Sequence, residues 1–162
     1  MKHSIIIILI GIILGRPAYA QALTSSNLPI VVVNTNGQVI PNEPRIKAQL
    51  GIVYKGEGIR NNINDPRNHY NGLAGIEVRG QSSQGFPMKS YDVELWNSDS
   101  TENEVSLFGF PKESDFSLYA PYTDKTLMRN FLAYTFTREM GRWAARCRYV
   151  ELVVDDDYKG IY

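Results

Sequence analysis

The sequence predicts an α+β fold in which several β-strands precede one main amphipathic helix. Two patterns carry this prediction. Apolar and polar residues alternate at positions 76–78 and 91–95, which is the period of a half-buried strand. Between residues 125 and 140, apolar side chains recur at three- and four-residue spacing, which is the period of a helix with one apolar face.

Residues that commonly end helices bound the expected helix. Thr123 or Asp124 can accept a hydrogen bond from its first N–H groups, and Gly141 suits the conformation that follows a last helical turn. Helix formation alone explains this segment, so its pattern indicates structure rather than a site.

Other segments predict further strands, turns and loops. Four of them have strand-like patterns: residues 28–34, 45–54, 114–120 and 148–154. Asn36-Gly37 predicts a tight turn, and residues 55–71, rich in glycine, asparagine, aspartate and proline, predict a long surface loop. Asp155-Asp-Asp-Tyr158 is expected to turn the last strand back. Its carboxylates could bind a cation, but an acidic hairpin turn is the preferred interpretation.

The first twenty residues have the three parts of a secretory signal peptide. Residues 1–3 include a lysine, residues 4–14 are almost all apolar, and Ala18-Tyr-Ala20 has the small-x-small form of a cleavage site. The apolar run is shorter than the roughly 20 residues of a membrane span. We therefore expect cleavage after Ala20, no stable membrane span in the remaining chain, and an exported protein that is extracellular, at the cell surface or periplasmic.

The composition argues against several classes of site. Seventeen basic and seventeen acidic residues cancel, so net charge indicates neither a nucleic acid nor an anionic membrane as partner. Cys147 is the only cysteine, and its apolar surroundings predict a small core residue. His69 lies in a segment of turn formers and is expected to be solvated. A zinc site or a Ser/His/Asp or Cys/His catalytic set is therefore not indicated.

A short polar loop joins the two alternating strands. Gly80-Gln-Ser-Ser-Gln-Gly85 has a glycine at each end, and Lys89 follows where the chain re-enters the sheet. Backbone N–H groups, hydroxyls and an ammonium can together bind one anion, such as a phosphate. A polar hairpin connection without any ligand explains the same composition.

A series of motifs resembles a known family. These motifs are Leu28-Pro-Ile-Val-Val-Val-Asn-Thr-Asn-Gly37, Gly75-Ile-Glu-Val-Arg-Gly-Gln-Ser-Ser-Gln84, Phe86-Pro-Met-Lys-Ser-Tyr91, Leu107-Phe-Gly-Phe-Pro-Lys112, Tyr119-Ala-Pro-Tyr-Thr-Asp-Lys-Thr-Leu-Met-Arg-Asn130, and Tyr149-Val-Glu-Leu152 with Tyr158-Lys-Gly-Ile-Tyr162. In this order they resemble the CotH kinase family over nearly all of residues 21–162. The resemblance implies the β-rich N-terminal lobe of an atypical protein kinase fold, with a helix packed on its sheet.

The same resemblance implies an activity and a set of site residues. Such kinases use ATP with Mg²⁺ or another divalent metal, and they transfer the γ-phosphate to Ser, Thr or Tyr hydroxyls of proteins. Lys89 is expected to neutralise nucleotide phosphates, and the loop residues are expected to cover them. The cofactor-binding residues implied in this way are Lys89, Ser82, Ser83, Gln84 and Arg79. Supporting residues are Arg129, Asp124 and Glu139, of which Glu139 is a candidate partner for Lys89.

The chain departs from the family pattern in two respects. Many members carry two basic residues where this chain has Met88-Lys89. The catalytic and metal-binding aspartates of the family would lie beyond residue 162, in a C-terminal lobe. We therefore expect residues 21–162 to be the N-terminal lobe of a longer kinase, without catalytic residues, metal ligands or activity of its own.

A different class of function is also consistent with the sequence. A non-catalytic extracellular or carbohydrate-associated module could share the fold, and ten tyrosines, two tryptophans and an asparagine-rich loop suit stacking on sugars. Single aromatic residues in strands, however, are usually part of a core.

Overall fold

The computed structural model describes residues 22–162, so the predicted signal peptide lies outside the described residues. The strands and the helix follow in this order: β1 Ser25–Ser26, β2 Ile30–Asn34, β3 Ile46–Val53, β4 Asn61–Asn62, β5 Tyr70–Arg79, β6 Ser90–Trp96, β7 Asp115–Leu118, α1 Arg129–Glu139, β8 Glu151–Val154 and β9 Asp157–Ile161. The predicted α+β class with predominant strands is confirmed.

Seven strands form one mixed sheet in the order β7-β6-β5-β3-β2-β8-β9. Every pairing is antiparallel except that of β2 with β8, which is parallel and places Ile30 opposite Glu151. Strands β1 and β4 form a separate small pair. The parallel contact joins two strands that are more than 110 residues apart in the chain.

Alternation along the strands separates an apolar face from a polar one. On β6, Tyr91, Val93 and Leu95 are buried, and the residues between them belong to the opposite face. The buried cluster on the apolar face comprises Val31, Val33, Ala48, Leu50, Ile52, Ala74, Ile76, Tyr91, Val93, Leu95, Leu107, Ala120, Val150, Leu152, Val154 and Tyr162. We call the opposite, largely polar side of β3, β5, β6 and β7 the outer face.

The helix differs from its prediction in length and surroundings. It begins at Arg129 rather than at residue 125, and none of its residues is buried. Phe136 is 61% exposed, so the apolar spacing does not correspond to a face packed on the sheet. The main aromatic contact of the helix is Phe131, whose ring stacks on Tyr149 at 5.4 Å between centroids. Gly141 ends the helix as predicted, at φ +73°.

The predicted loop at residues 55–71 is more ordered than its composition suggested. It contains β4 and runs into β5, and an ion pair of 2.5 Å joins Lys55 to Asp65. His69 is not a solvated loop residue. Its Nε2 accepts the Phe108 N–H at 2.9 Å, and its ring stacks on Phe108 at 4.7 Å. Burial, and secondarily the charge of Arg148, lowers the pKa of His69.

Two other expectations near the end of the chain have different outcomes. Cys147 lies outside the strands and is only half-buried, because the strand begins later than predicted, at Glu151. The acidic turn is confirmed at Asp155 and Asp156, which both have positive φ. The Asp155 carboxylate accepts hydrogen bonds from the Thr35 N–H at 2.7 Å and the Thr35 hydroxyl at 2.5 Å, so it ties the turn to the end of β2.

Candidate functional site

The β5–β6 loop folds as a single turn of 3₁₀-helix over Ser82–Gly85. Gly80 precedes it at φ +100°, a conformation that strongly favours glycine, and a Cβ at this position would overlap the Ser83 hydroxyl. The Gln84 side-chain amide donates to Asn42 Oδ1 and to the Gly80 carbonyl. The loop is therefore held in a defined shape by its own side chains.

Lys89 is attached to this loop through its ammonium group. The Nζ donates to the Gln84 carbonyl, which brings together two of the residues that the sequence singled out. The Lys89 carbonyl accepts the phenol hydrogen of buried Tyr162 at 2.9 Å. Lys89 is thus anchored at both its backbone and its side chain, although it lies just before β6.

Arg79 lies on the other side of the sheet from the core. Its guanidinium pairs with Asp92 at 2.7 Å and also donates to the Ser117 hydroxyl. These partners belong to the outer face. Lys89 is two residues before buried Tyr91, so its position corresponds to the apolar face of the sheet. Arg79 and Lys89 thus extend from different faces of the sheet, although Arg79 also lines the small cavity beside the β5–β6 loop.

A small cavity joins the β5–β6 loop to the segment after β7. Its volume is about 150 Å³. The residues that line it are Arg79, Gly80, Ser83, Phe86, Met88, Ser90, Tyr119, Ala120, Tyr122 and Thr123. The rings of Phe86 and Tyr122 stack at 5.1 Å between centroids. Sequence reasoning did not assign these two aromatic residues to the site, although both occur in the quoted motifs. Their contact across more than 30 residues could not be inferred from local patterns.

Asp124 organises the turn that leads from this cavity to α1. It is buried, and its carboxylate accepts the Thr126 hydroxyl at 2.7 Å and the Arg129 N–H at 2.9 Å. The hydrogen bond from the Thr126 side chain, followed by that from the Arg129 N–H, lowers the pKa of Asp124. A standard N-cap residue directly precedes the helix, and that position is occupied by Met128. Asp124, four residues before Met128, accepts the first N–H of the helix instead.

The other supporting residues are exposed. The Arg129 guanidinium lies 3.5 Å from Asp124 and is otherwise largely in solvent. Glu139 is exposed near the end of α1, and within residues 22–162 no ion pair joins it to Lys89, whose ammonium bonds the Gln84 carbonyl instead. Ser82 is exposed on the 3₁₀ turn.

The arrangement suits the binding of a small anion better than that of a metal. An ammonium has three N–H donors, so Lys89 keeps two after its bond to Gln84. Among the described residues, no three His, Cys, Asp or Glu side chains are grouped as ligands of a metal ion. Over the same range, no helix has the length and apolar character needed to span a membrane.

Comparison with known families and proteins gives one match. The model of the family described as CotH kinase protein matches residues 76–162, just over half of the chain. The match begins within β5 and includes the 3₁₀ turn, Lys89, the Asp124 turn, α1 and the β8–β9 hairpin. No curated protein matches the chain.

Proposed function

This chain belongs to the CotH kinase protein family, and from this premise we propose that it forms the phosphate-binding part of an ATP-dependent protein kinase. The reaction is transfer of the γ-phosphate to Ser, Thr or Tyr hydroxyls of a protein substrate, with a divalent metal on the nucleotide. The observation that carries the proposal is the Lys89 ammonium held against the β5–β6 loop by the Gln84 carbonyl.

Lys89 has the chemistry that phosphoryl transfer requires. Catalysis of this reaction depends mainly on positioning the phosphates and neutralising their charge. An ammonium fixed beside a loop does this at little cost in side-chain entropy, because its position is set before the nucleotide binds. Ser83 and Gln84 would cover the phosphates from the loop. Arg79, which lines the cavity beside the loop, would add a second cation there, with its guanidinium paired to Asp92.

The size of the cavity limits what the described residues contribute. Sites that enclose a small organic ligand usually measure roughly 300–1,000 Å³. The cavity beside the loop measures about 150 Å³ and is therefore too small for a whole nucleotide. Among residues 22–162, no three His, Cys, Asp or Glu side chains form a group that could hold a metal ion. We therefore assign them phosphate binding and no step of the transfer that involves the metal.

Binding of ATP by this chain tests the proposal directly. A fluorescent N-methylanthraniloyl derivative of ATP is titrated with the unaltered chain, with Lys89→Ala and with Lys112→Ala, an exposed lysine that serves as control. Because hydrogen bonds to charged groups contribute about 1.5–3 kcal/mol, Lys89→Ala is expected to weaken binding by about tenfold or more. Lys112→Ala is expected to bind like the unaltered chain.

Activity needs a second measurement. Transfer of radiolabelled phosphate from ATP to casein is compared for the longest protein that the gene encodes and for its Lys89→Ala variant. Equal transfer by both would refute the role of Lys89. Absence of nucleotide binding and of transfer, in proteins that circular dichroism shows to be folded, would instead favour the non-catalytic module.

A further inference from the structure

The outer face of the sheet contains an open groove around Trp96. Its volume is about 790 Å³, and its walls are formed by Glu43, Pro44, Arg45, Glu77 and Trp96. Trp96 is the last residue of β6, and Ser90 beside Lys89 is the first. At about 3.3 Å per residue, the groove is roughly 20 Å from the proposed phosphate site. It is a separate surface, and its lining shares no residue with that of the cavity beside the β5–β6 loop.

The indole of Trp96 packs against the sheet. It lies over Gly75, where a Cβ would overlap its six-membered ring. Its Nε1–H donates to Glu94 Oε2 at 3.0 Å. The ring is therefore fixed against the backbone of β5, and Trp96 also lines the groove. A fixed aromatic ring in an open groove can bind a ligand with little loss of its own conformational freedom.

Negative charge is in excess beside this ring. The Arg45 guanidinium meets three carboxylates: Glu94 at 2.6 Å, Glu77 at 3.3 Å and Asp115 at 3.3 Å. Glu43 adds a fourth carboxylate to the groove, and Lys47, whose register partner is Gly75, adds a second cation. These four carboxylates and two cations sum to −2, and Glu102, which pairs with Trp96 in an isolated bridge, adds a further carboxylate. Although burial lowers the pKa of Arg45, its bond to Glu94 and the three nearby negative charges outweigh this effect and raise it.

We propose that this groove is a docking surface for a basic peptide segment. An arginine of the partner stacks on the Trp96 ring in the groove, and its guanidinium neutralises the excess charge of the surrounding carboxylates. Arginine fits better than lysine because its planar guanidinium stacks on an aromatic face and can also form paired hydrogen bonds with a carboxylate. An anionic ligand, such as a phosphate or an acidic sugar, is disfavoured by the same net charge.

The two tryptophans of the chain make a direct assay possible. Trp143 is 90% exposed, so Trp143→Phe leaves Trp96 as the only tryptophan at little structural cost. This protein is titrated with a hexapeptide of alternating glycine and arginine, and with the same peptide carrying citrulline in place of arginine. Citrulline keeps the planar end of the side chain but has no charge. Only the arginine peptide is expected to change the Trp96 emission, and its affinity is expected to fall as NaCl is raised from 50 to 300 mM.

Variants separate the contribution of the ring from that of the charge. With a fluorescein-labelled arginine peptide, Trp96→Leu is expected to weaken binding by about two- to fivefold. Gly75→Ala should do the same while it leaves every charge in place, because it displaces the indole. Asp115→Asn should weaken binding, whereas Asp156→Asn, an exposed residue in the β8–β9 turn, should not.

Three results would overturn the proposal. The first is equal binding of the arginine and citrulline peptides, and the second is binding of neither. The third is a response of Trp96 to a neutral oligosaccharide, for which cellohexaose is the probe, without a response to the peptide. Circular dichroism of each variant verifies its fold. Since the groove is remote from Lys89, the Lys89→Ala variant is expected to bind the peptide normally, so this test can fail or succeed independently of the proposed kinase function.

Discussion

Gln84 has a larger role in the candidate site than its place in a polar loop suggested. Its side-chain amide fixes the loop by donating to Asn42 and to the Gly80 carbonyl, and its own carbonyl accepts the Lys89 ammonium. A single residue thus links the shape of the loop to the position of its cation. This link explains how a loop without regular sheet contacts can hold a charge in one place.

The burial of His69 predicts that the stability of the folded protein depends on pH. Burial lowers its pKa below the ordinary value of 6.5, and its neutral Nε2 accepts the Phe108 N–H. The unfolded chain therefore binds a proton at higher pH than the folded protein. The stability from neutral His69 is fully present above about pH 6.5 and is lost as pH falls through the lowered folded-state pKa.

Thermal unfolding of the unaltered chain and of His69→Gln between pH 7.5 and 5 measures this effect. Glutamine offers an acceptor for Phe108 but does not titrate in this range. The melting temperature of the unaltered chain is expected to fall more steeply with acid than that of His69→Gln. Parallel curves for the two proteins would show that His69 titrates alike in the folded and unfolded states.

Secondary-structure elements differ in how far the sequence predicts them. The β5–β6 pair was predictable because its alternation reports directly which side chains are buried, and Ile76 and Val93 are indeed in the core. For α1 the three- and four-residue spacing of apolar side chains correctly predicted a helix. Spacing alone, however, does not show whether another element covers those side chains. Lys89 and Gln84 are close in sequence, so their contact follows from the short loop, and their role in binding phosphate stays a prediction. The Phe86–Tyr122 contact was not predictable, because it depends on how β7 returns the chain.

The contact between the β8–β9 turn and β2 is expected to stabilise the folded protein. Burial alone would raise the pKa of Asp155, but the hydrogen bonds from Thr35 outweigh it and lower the pKa. Asp155→Asn keeps the shape of the side chain, and asparagine tolerates the positive φ at this position. The substitution removes the negative charge and so weakens both hydrogen bonds from Thr35. We expect a loss of about 1 kcal/mol in the free energy of unfolding, at the low end for charged hydrogen bonds because the turn is exposed to solvent.

Urea denaturation of Asp155→Asn and Asp156→Asn provides the measurement and its control. Asp156 is the neighbouring residue, with the same side chain and also a positive φ, but it does not contact Thr35. Its substitution is expected to change stability by less than about 0.5 kcal/mol. If the two variants lose the same stability, the Asp155–Thr35 contact does not hold the turn to β2.

At the scale of the whole molecule, the sheet depends on contacts between distant parts of the chain. Strand β2 lies between β3, which follows it closely, and β8, which is formed more than 110 residues later. The last strands also deliver Tyr162, whose phenol bonds the Lys89 carbonyl and whose ring lies 6.3 Å from that of Tyr91. The β8–β9 hairpin therefore completes both the core and the surroundings of Lys89.

Truncating a core side chain on β8 tests this dependence. Leu152 is 0% exposed and lies opposite Val31 across the parallel contact, whereas Val39 is 89% exposed. Leu152→Ala is expected to lower the free energy of unfolding by about 2–5 kcal/mol, because it removes buried methyl groups and leaves a cavity. Val39→Ala should change it by less than about 0.5 kcal/mol. Urea denaturation measures both, and similar small losses would mean that β8 contributes little to the core. A large loss for Leu152→Ala alone would show that β2 and β8, although far apart in sequence, stabilise one cooperative sheet.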